Sequence, residues 1–181
     1  MKKILAIVGS FRKNSFNEQL ALAAKEVLGN RAELEILDYY DVPFFNEDNE
    51  FPAPSAVAFA REKVKEADGV WFFTPEYNHS YPGILKNLLD WLSRPISQDE
   101  PQVLAGKPTT VSGIAYGMAG TAVAQEYLIS LLNFLNMRLM NSPRLMVGNL
   151  PEQLDEQGRV KLTISAKFLE DQVNAFLDFI G

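Results

Sequence analysis

"KILAIVGSFRKNSFNEQLALAAKEVLGNRAELEIL", Lys3 to Leu37, passes from a short apolar run through a polar turn into a periodic segment and out into a second β-rich run. Lys3–Val8 is nearly all apolar and short, the pattern of a strand buried on both faces. Leu20, Ala24, Val27 and Leu28 recur at three-to-four spacing and Gly29-Asn30 supplies a stop, so a helix lies between. Ala32–Leu37 alternates in part and reads as the second strand. A strand, a helix and a strand of these lengths make a right-handed crossover between parallel neighbours.

The alternation continues outward from this unit. Val57, Ala60, Val64 and Ala67 mark a second helix, followed by the apolar strand "GVWFFT", Gly69–Thr74. Pro82-Gly83 opens a helix carrying Ile84, Leu85, Leu88, Leu89 and Leu92. A fourth strand spans Lys107–Ser112, a long helix follows Gly120, a fifth strand falls within Arg138–Val147, and a last helix covers Ser165–Ile180. The expected architecture is one α/β domain over residues 1–181, with a five-stranded parallel sheet and helices on both faces. Spacing leaves the strand order open between flavodoxin-like and Rossmann-like. In either, ligands bind beyond the carboxyl ends of the strands, which gathers the loops 9–15, 38–54, 75–82 and 113–120 at one edge.

The composition excludes several functions. The chain has 181 residues, 47% of them hydrophobic and 22% charged, a balance that suits a packed globular domain. There is no cysteine, which removes disulfides, thiolate metal sites and dithiol chemistry, so redox work needs a borrowed cofactor. A net charge of −6 without a basic block argues against nucleic acid and anionic membranes as partners. No apolar run is long enough to span a bilayer, and "MKKILAIVGSFRKN" lacks the features of a secretory signal, so the cytoplasm is the expected compartment.

The first loop, "GSFRKNSFN", leaves a strand and enters a helix, where unpaired amides and the helix dipole favour an anion. Ser10, Ser15 and Asn17 are short donors, and Arg12 is a permanent cation with a forked geometry suited to phosphate. The loop is neither G-x-G-x-x-G nor G-x-x-x-x-G-K-[ST]. Ser15 with Glu18 also spells a capping box, a structural use compatible with the first. At the end of the third strand, Pro75 breaks the ladder and either leaves the amides of Glu76, Tyr77 and Asn78 free to address a flat heterocycle or begins a proline-rich turn capped by Ser80 or Tyr81 before Pro82.

"GSFRKNSFNEQLA" and "PEYNHSYPGILKNLLDWLSRP" closely resemble the two signature segments of the NADPH-dependent FMN reductase family, which includes quinone, azo-dye and chromate reductases. The resemblance implies a flavodoxin-like three-layer sandwich with strand order 2-1-3-4-5. It implies that Ser10, Arg12, Ser15 and Asn17 hold the FMN phosphate, that Pro75, Glu76, Tyr77 and Asn78 line the isoalloxazine ring, and that Ser112 and Gly113 approach its other edge. The third loop, "SGIAYGMAGT", departs from the family in being less glycine-rich, and Tyr116 is an alternative wall of the ring pocket. The implied reaction is hydride transfer from NAD(P)H through bound FMN to quinones, azo compounds, flavins or similar acceptors by a ping-pong scheme. A non-enzymatic flavodoxin-like electron carrier is the alternative, and a homodimer or homotetramer is the implied assembly.

In such a protein the cofactor carries the chemistry, and no catalytic side chain is expected. His79 is the only histidine and reads as a surface residue, and there is no G-x-S-x-G elbow and no H-E-x-x-H pair. Asp41, Glu47, Asp48 and Glu50 lack calcium-loop spacing and read as a solvated acidic loop rather than a metal site. Tyr39, Tyr40, Phe44, Phe45 and Phe51 share that loop and either pack beneath it or wall a flat acceptor. The helix after Gly120 is apolar around most of its circumference, and so is either deeply buried or pressed against a partner.

Overall fold

The computed structural model describes residues 1–181. Six strands form one sheet: β1 (Lys2–Val8), β2 (Ala32–Ile36), β3 (Gly69–Phe73), β4 (Pro108–Ile114), β5 (Arg138–Leu139) and β6 (Leu145–Val147). Five helices cover it: α1 (Phe16–Leu28), α2 (Ser55–Glu66), α3 (Gly83–Leu92), α4 (Ala122–Phe134) and α5 (Ser165–Ile180). All pairings are parallel in the order β2-β1-β3-β4-β5, with β6 also against β4. This is the flavodoxin-like order. No helix is long and apolar enough to cross a membrane.

The one strand expected within Arg138–Val147 is two short ones, both paired with β4. The chain leaves the ladder between them, where Pro143 has no amide to donate.

The period of two along each central strand divides the core between two faces. Ile4, Ala6, Val8, Trp71 and Phe73 pack with Leu20 and Ala24 of α1 and Leu169, Val173 and Phe176 of α5. Leu5, Ile7, Val70 and Phe72 face the other way, onto Ala60 and Val64 of α2, Leu85 and Leu88 of α3, and Leu128 and Leu132 of α4. Each large apolar side chain fully buried in this way contributes about 1.5–3 kcal/mol of transfer free energy. The double-sided burial explains why β1 and β3 read as continuous apolar runs while the edge strand β2 alternates.

A buried polar chain locks α5 onto the sheet. Trp71 Nε1 donates to Ser112 Oγ at 2.8 Å, and Ser112 Oγ donates to Gln172 Oε1 at 2.7 Å. Gln172 Nε2 donates to Thr110 Oγ1 and to the Val111 carbonyl. Register does the rest of the positioning: Val8 lies beside Phe73 and Phe73 beside Ser112, so three loops leave the sheet edge at one level.

Candidate active site

Those loops enclose a cavity of about 680 Å3, within the size range of small-molecule sites. Ser10, Arg12, Ser15, Asn17, Pro75, Glu76 and Tyr77 all line it. Asn78 stands next to this group, while Ser112 and Gly113 do not line the cavity.

At the phosphate end, Ser15 is the N-cap of α1, and its Oγ accepts from Glu18 N at 3.0 Å. Only half of the capping box forms, because Ser15 N donates to the Arg12 carbonyl. The hydroxyl proton of Ser15 and the amides of Phe16 and Asn17 have no partner in the chain, which leaves a cluster of donors at the positive end of α1. The Arg12 guanidinium makes no ion pair and rests over the Phe16 ring, 4.6 Å from its centroid. Phe16 in turn meets Tyr116 edge-on at 6.0 Å, so the first and third loops touch through aromatic rings.

Asn17 plays a different part from the one expected of its side chain. Its Nδ2 donates to the Ile114 carbonyl at 3.1 Å and its Oδ1 accepts from Ile114 N at 3.0 Å. The amide group therefore ties α1 to the end of β4, and the main-chain N–H of Asn17 has no partner in the chain.

At the ring end, the expectation of three free amides is corrected to two. Tyr77 N donates to the Ser80 carbonyl and Ser80 N to the Tyr77 carbonyl, closing a hairpin-like turn around Asn78 and His79, both at positive φ. The amides of Glu76 and Asn78 stay unpartnered. The Glu76 carboxylate is turned away to work as a cap: Oε2 accepts from Ala124 N at 2.9 Å, where Thr121 supplies no side-chain cap to α4. His79 lies open to solvent, its Nδ1 3.6 Å from Glu76 Oε1.

The third loop differs most from expectation. Ser112 is fully buried and its hydroxyl is spent on Trp71 and Gln172. Gly113 is wedged against the Thr74 carbonyl, where a Cβ would stand 2.2 Å away, so its lack of a side chain serves strand packing. The wall instead comes from Tyr116, Gly117 and Met118, whose amides have no partner, and from Leu150 after β6. Leu150 and Met118 carried no signal beyond membership of a loop.

The acidic loop also needs correction. Glu50 is buried and takes a two-pronged contact from Arg94, at 2.7 and 3.1 Å. Phe45 packs edge-on against Trp91, and Trp91 Nε1 and Asn87 Nδ2 both donate to the Pro43 carbonyl. The loop is thus strapped along α3, while Tyr40, Phe44 and Phe51 remain exposed.

A parallel sheet in this order, with a donor-lined cavity at its switch point, defines a flavodoxin-like nucleotide-binding protein. The chain belongs to the NADPH-dependent FMN reductase family, which it matches over residues 2–152. It is 33% identical over 178 residues to the 2-hydroxy-1,4-benzoquinone reductase of a Burkholderia species, covering 98% of this chain and 96% of that one. It is 37% identical over 182 residues to the quinone reductase of Escherichia coli K12, with 98% and 95% covered. The solved flavoenzyme NAD(P)H:(acceptor) oxidoreductase FerB from Paracoccus denitrificans has a TM-score of 0.89 at 35% identity, covering 99% of this chain and 97% of that one. The protein is an oxidoreductase of this family, with FMN as cofactor and NAD(P)H as electron source.

Proposed function

We propose that the chain is a cytoplasmic NAD(P)H-dependent reductase of quinones, and by the same chemistry of azo compounds and free flavins, working by a ping-pong scheme. The observation that carries this reading is the open cavity itself, where unpaired donors at both ends fit FMN and two exposed tyrosines, Tyr77 and Tyr116, flank a slot for flat molecules. Two relatives named for quinone substrates support the acceptor class.

FMN held in this cavity would supply the two-electron chemistry between the nicotinamide and the acceptor. Ser10, Arg12, Ser15 and the main-chain N–H groups of Phe16 and Asn17 would hold its phosphate. The amides of Glu76 and Asn78 would donate to heteroatoms of the ring and stabilise negative charge there. Pro75 and Tyr77 would wall one side and Tyr116 the other. Donor and acceptor would share the one face that these walls leave open, so the oxidised nucleotide would have to leave before the acceptor enters.

The domain extends over residues 1–181 and assembles as a homodimer or homotetramer. Tyr127 and Phe134 stand exposed on α4, where an apolar helix needs cover, and they support that assembly.

Initial rates with NADH or NADPH varied against 1,4-benzoquinone test the mechanism. Parallel double-reciprocal lines are expected. Lines that converge would establish a ternary complex and contradict the single shared face.

A further inference from the structure

On the other side of the first loop, between the carboxyl ends of β1 and β2, lies a second cavity of about 270 Å3. Ser10 and Arg12 line both cavities, so the two meet at the residues assigned to the FMN phosphate. The second is floored by aromatic rings. Phe11 packs 4.8 Å from Tyr39 and 5.1 Å from Tyr40, both tilted, and Tyr39 is fixed in place because its hydroxyl donates to the Val8 carbonyl at 2.6 Å. The Phe11 and Tyr40 rings remain exposed.

Four charges line this small space, Arg12 and Lys13 with Glu18 and Asp38, and none makes a salt bridge. Asp38 lies two residues past β2; its Oδ1 accepts from Tyr40 N at 3.2 Å and its Oδ2 has no partner. Exposed rings, a free carboxylate and free cations in one cavity match the three parts of a nucleoside phosphate: a flat base, a ribose diol that donates, and an anion. In dinucleotide-binding sheets of Rossmann order an acidic residue beyond the second strand takes the ribose hydroxyls, and Asp38 stands at the corresponding place here.

We propose, resting on the FMN site assigned above, that this cavity binds the adenosine 5′-phosphate half of a dinucleotide. Asp38 accepts from the ribose hydroxyls, Phe11 and Tyr40 stack on the base, and Lys13 faces the phosphate. A 2′-phosphate would bring negative charge against Asp38 and Glu18, so the unphosphorylated nucleotide is preferred. The adenosine half arrives on NADH or on FAD, and the two sources separate experimentally.

With FMN-loaded protein, the NADH source predicts kcat/KM for NADH at least about tenfold above that for NADPH, and an Asp38→Asn variant with KM for NADH raised roughly tenfold at unchanged kcat. With apoprotein, the FAD source predicts FAD bound at least about tenfold more tightly than FMN, a difference that Asp38→Asn abolishes. The asparagine side chain in that variant retains an oxygen for the Tyr40 amide, and Tyr40→Ala, a change at an exposed ring, gives an independent variant expected to act in the same direction. Either result supports the adenosine cavity and names its source. Retained FMN binding with neither result overturns the cavity alone, whereas a parent chain that fails to take up FMN overturns the flavin site on which it depends.

Discussion

Gly113→Ala will melt roughly 6–12 °C below the parent chain, corresponding to about 3 kcal/mol in a protein of this size. The added Cβ would lie 2.2 Å from the Thr74 carbonyl and 2.3 Å from Thr121 Oγ1, and the nearer group is backbone that cannot rotate aside. Relief requires β3 and β4 to part at their carboxyl ends, where Thr74 N donates to the Ser112 carbonyl. The loop from Pro75 to Ser80 starts at that point, so FMN affinity should fall together with stability. Gly83→Ala is the control, since a Cβ at the first residue of α3 meets nothing within 4 Å and alanine favours helix. Thermal melts of both variants check the pair; a Gly113→Ala protein as stable as the parent would mean that the strand ends are looser than the geometry described.

Arg12→Ala should raise the dissociation constant for FMN about 10- to 150-fold, the equivalent of roughly 1.5–3 kcal/mol for a hydrogen bond to a charged group. Arg12 is the one cation lining the larger cavity, and its contact with the Phe16 ring holds it beside the free amides of α1. Arg12→Lys keeps the charge but loses the fork, so it should recover only part of the affinity. The salt dependence of FMN binding should weaken in the alanine variant as one charge contact disappears. Titration of apoprotein with FMN at two ionic strengths measures both effects. An unchanged dissociation constant would move the phosphate away from this loop.

The features legible in the sequence were those written in local pattern. Continuous apolar runs at β1 and β3, helical spacing from Leu20 to Leu28, and a serine before a helix identify elements without reference to distant residues. The two motif-bearing loops were legible for the same reason, and the register of β1, β3 and β4 brings them together. The side-chain roles that were missed depend on partners far along the chain. Asn17 answers to Ile114, 97 residues on, and Ser112 to Gln172, 60 residues on, so both short polar residues resemble ligand donors until the fold supplies their partners. Glu50 resembles any other member of an acidic loop until Arg94 reaches it. The Tyr77 amide was missed for another reason: Asn78-His79 makes a tight turn without the glycine that ordinarily announces one.

The proposed function requires FMN in the cavity between the first, third and fourth strand ends, reduced there by pyridine nucleotides and reoxidised by quinones. Its most direct test is the visible absorption spectrum of protein reconstituted with FMN and desalted, followed anaerobically on adding NADH or NADPH and then 1,4-benzoquinone. Retained flavin bands that bleach with a nucleotide and return with the quinone are the predicted result. Bands that persist unbleached with both donors, or a protein that retains no flavin, would contradict it.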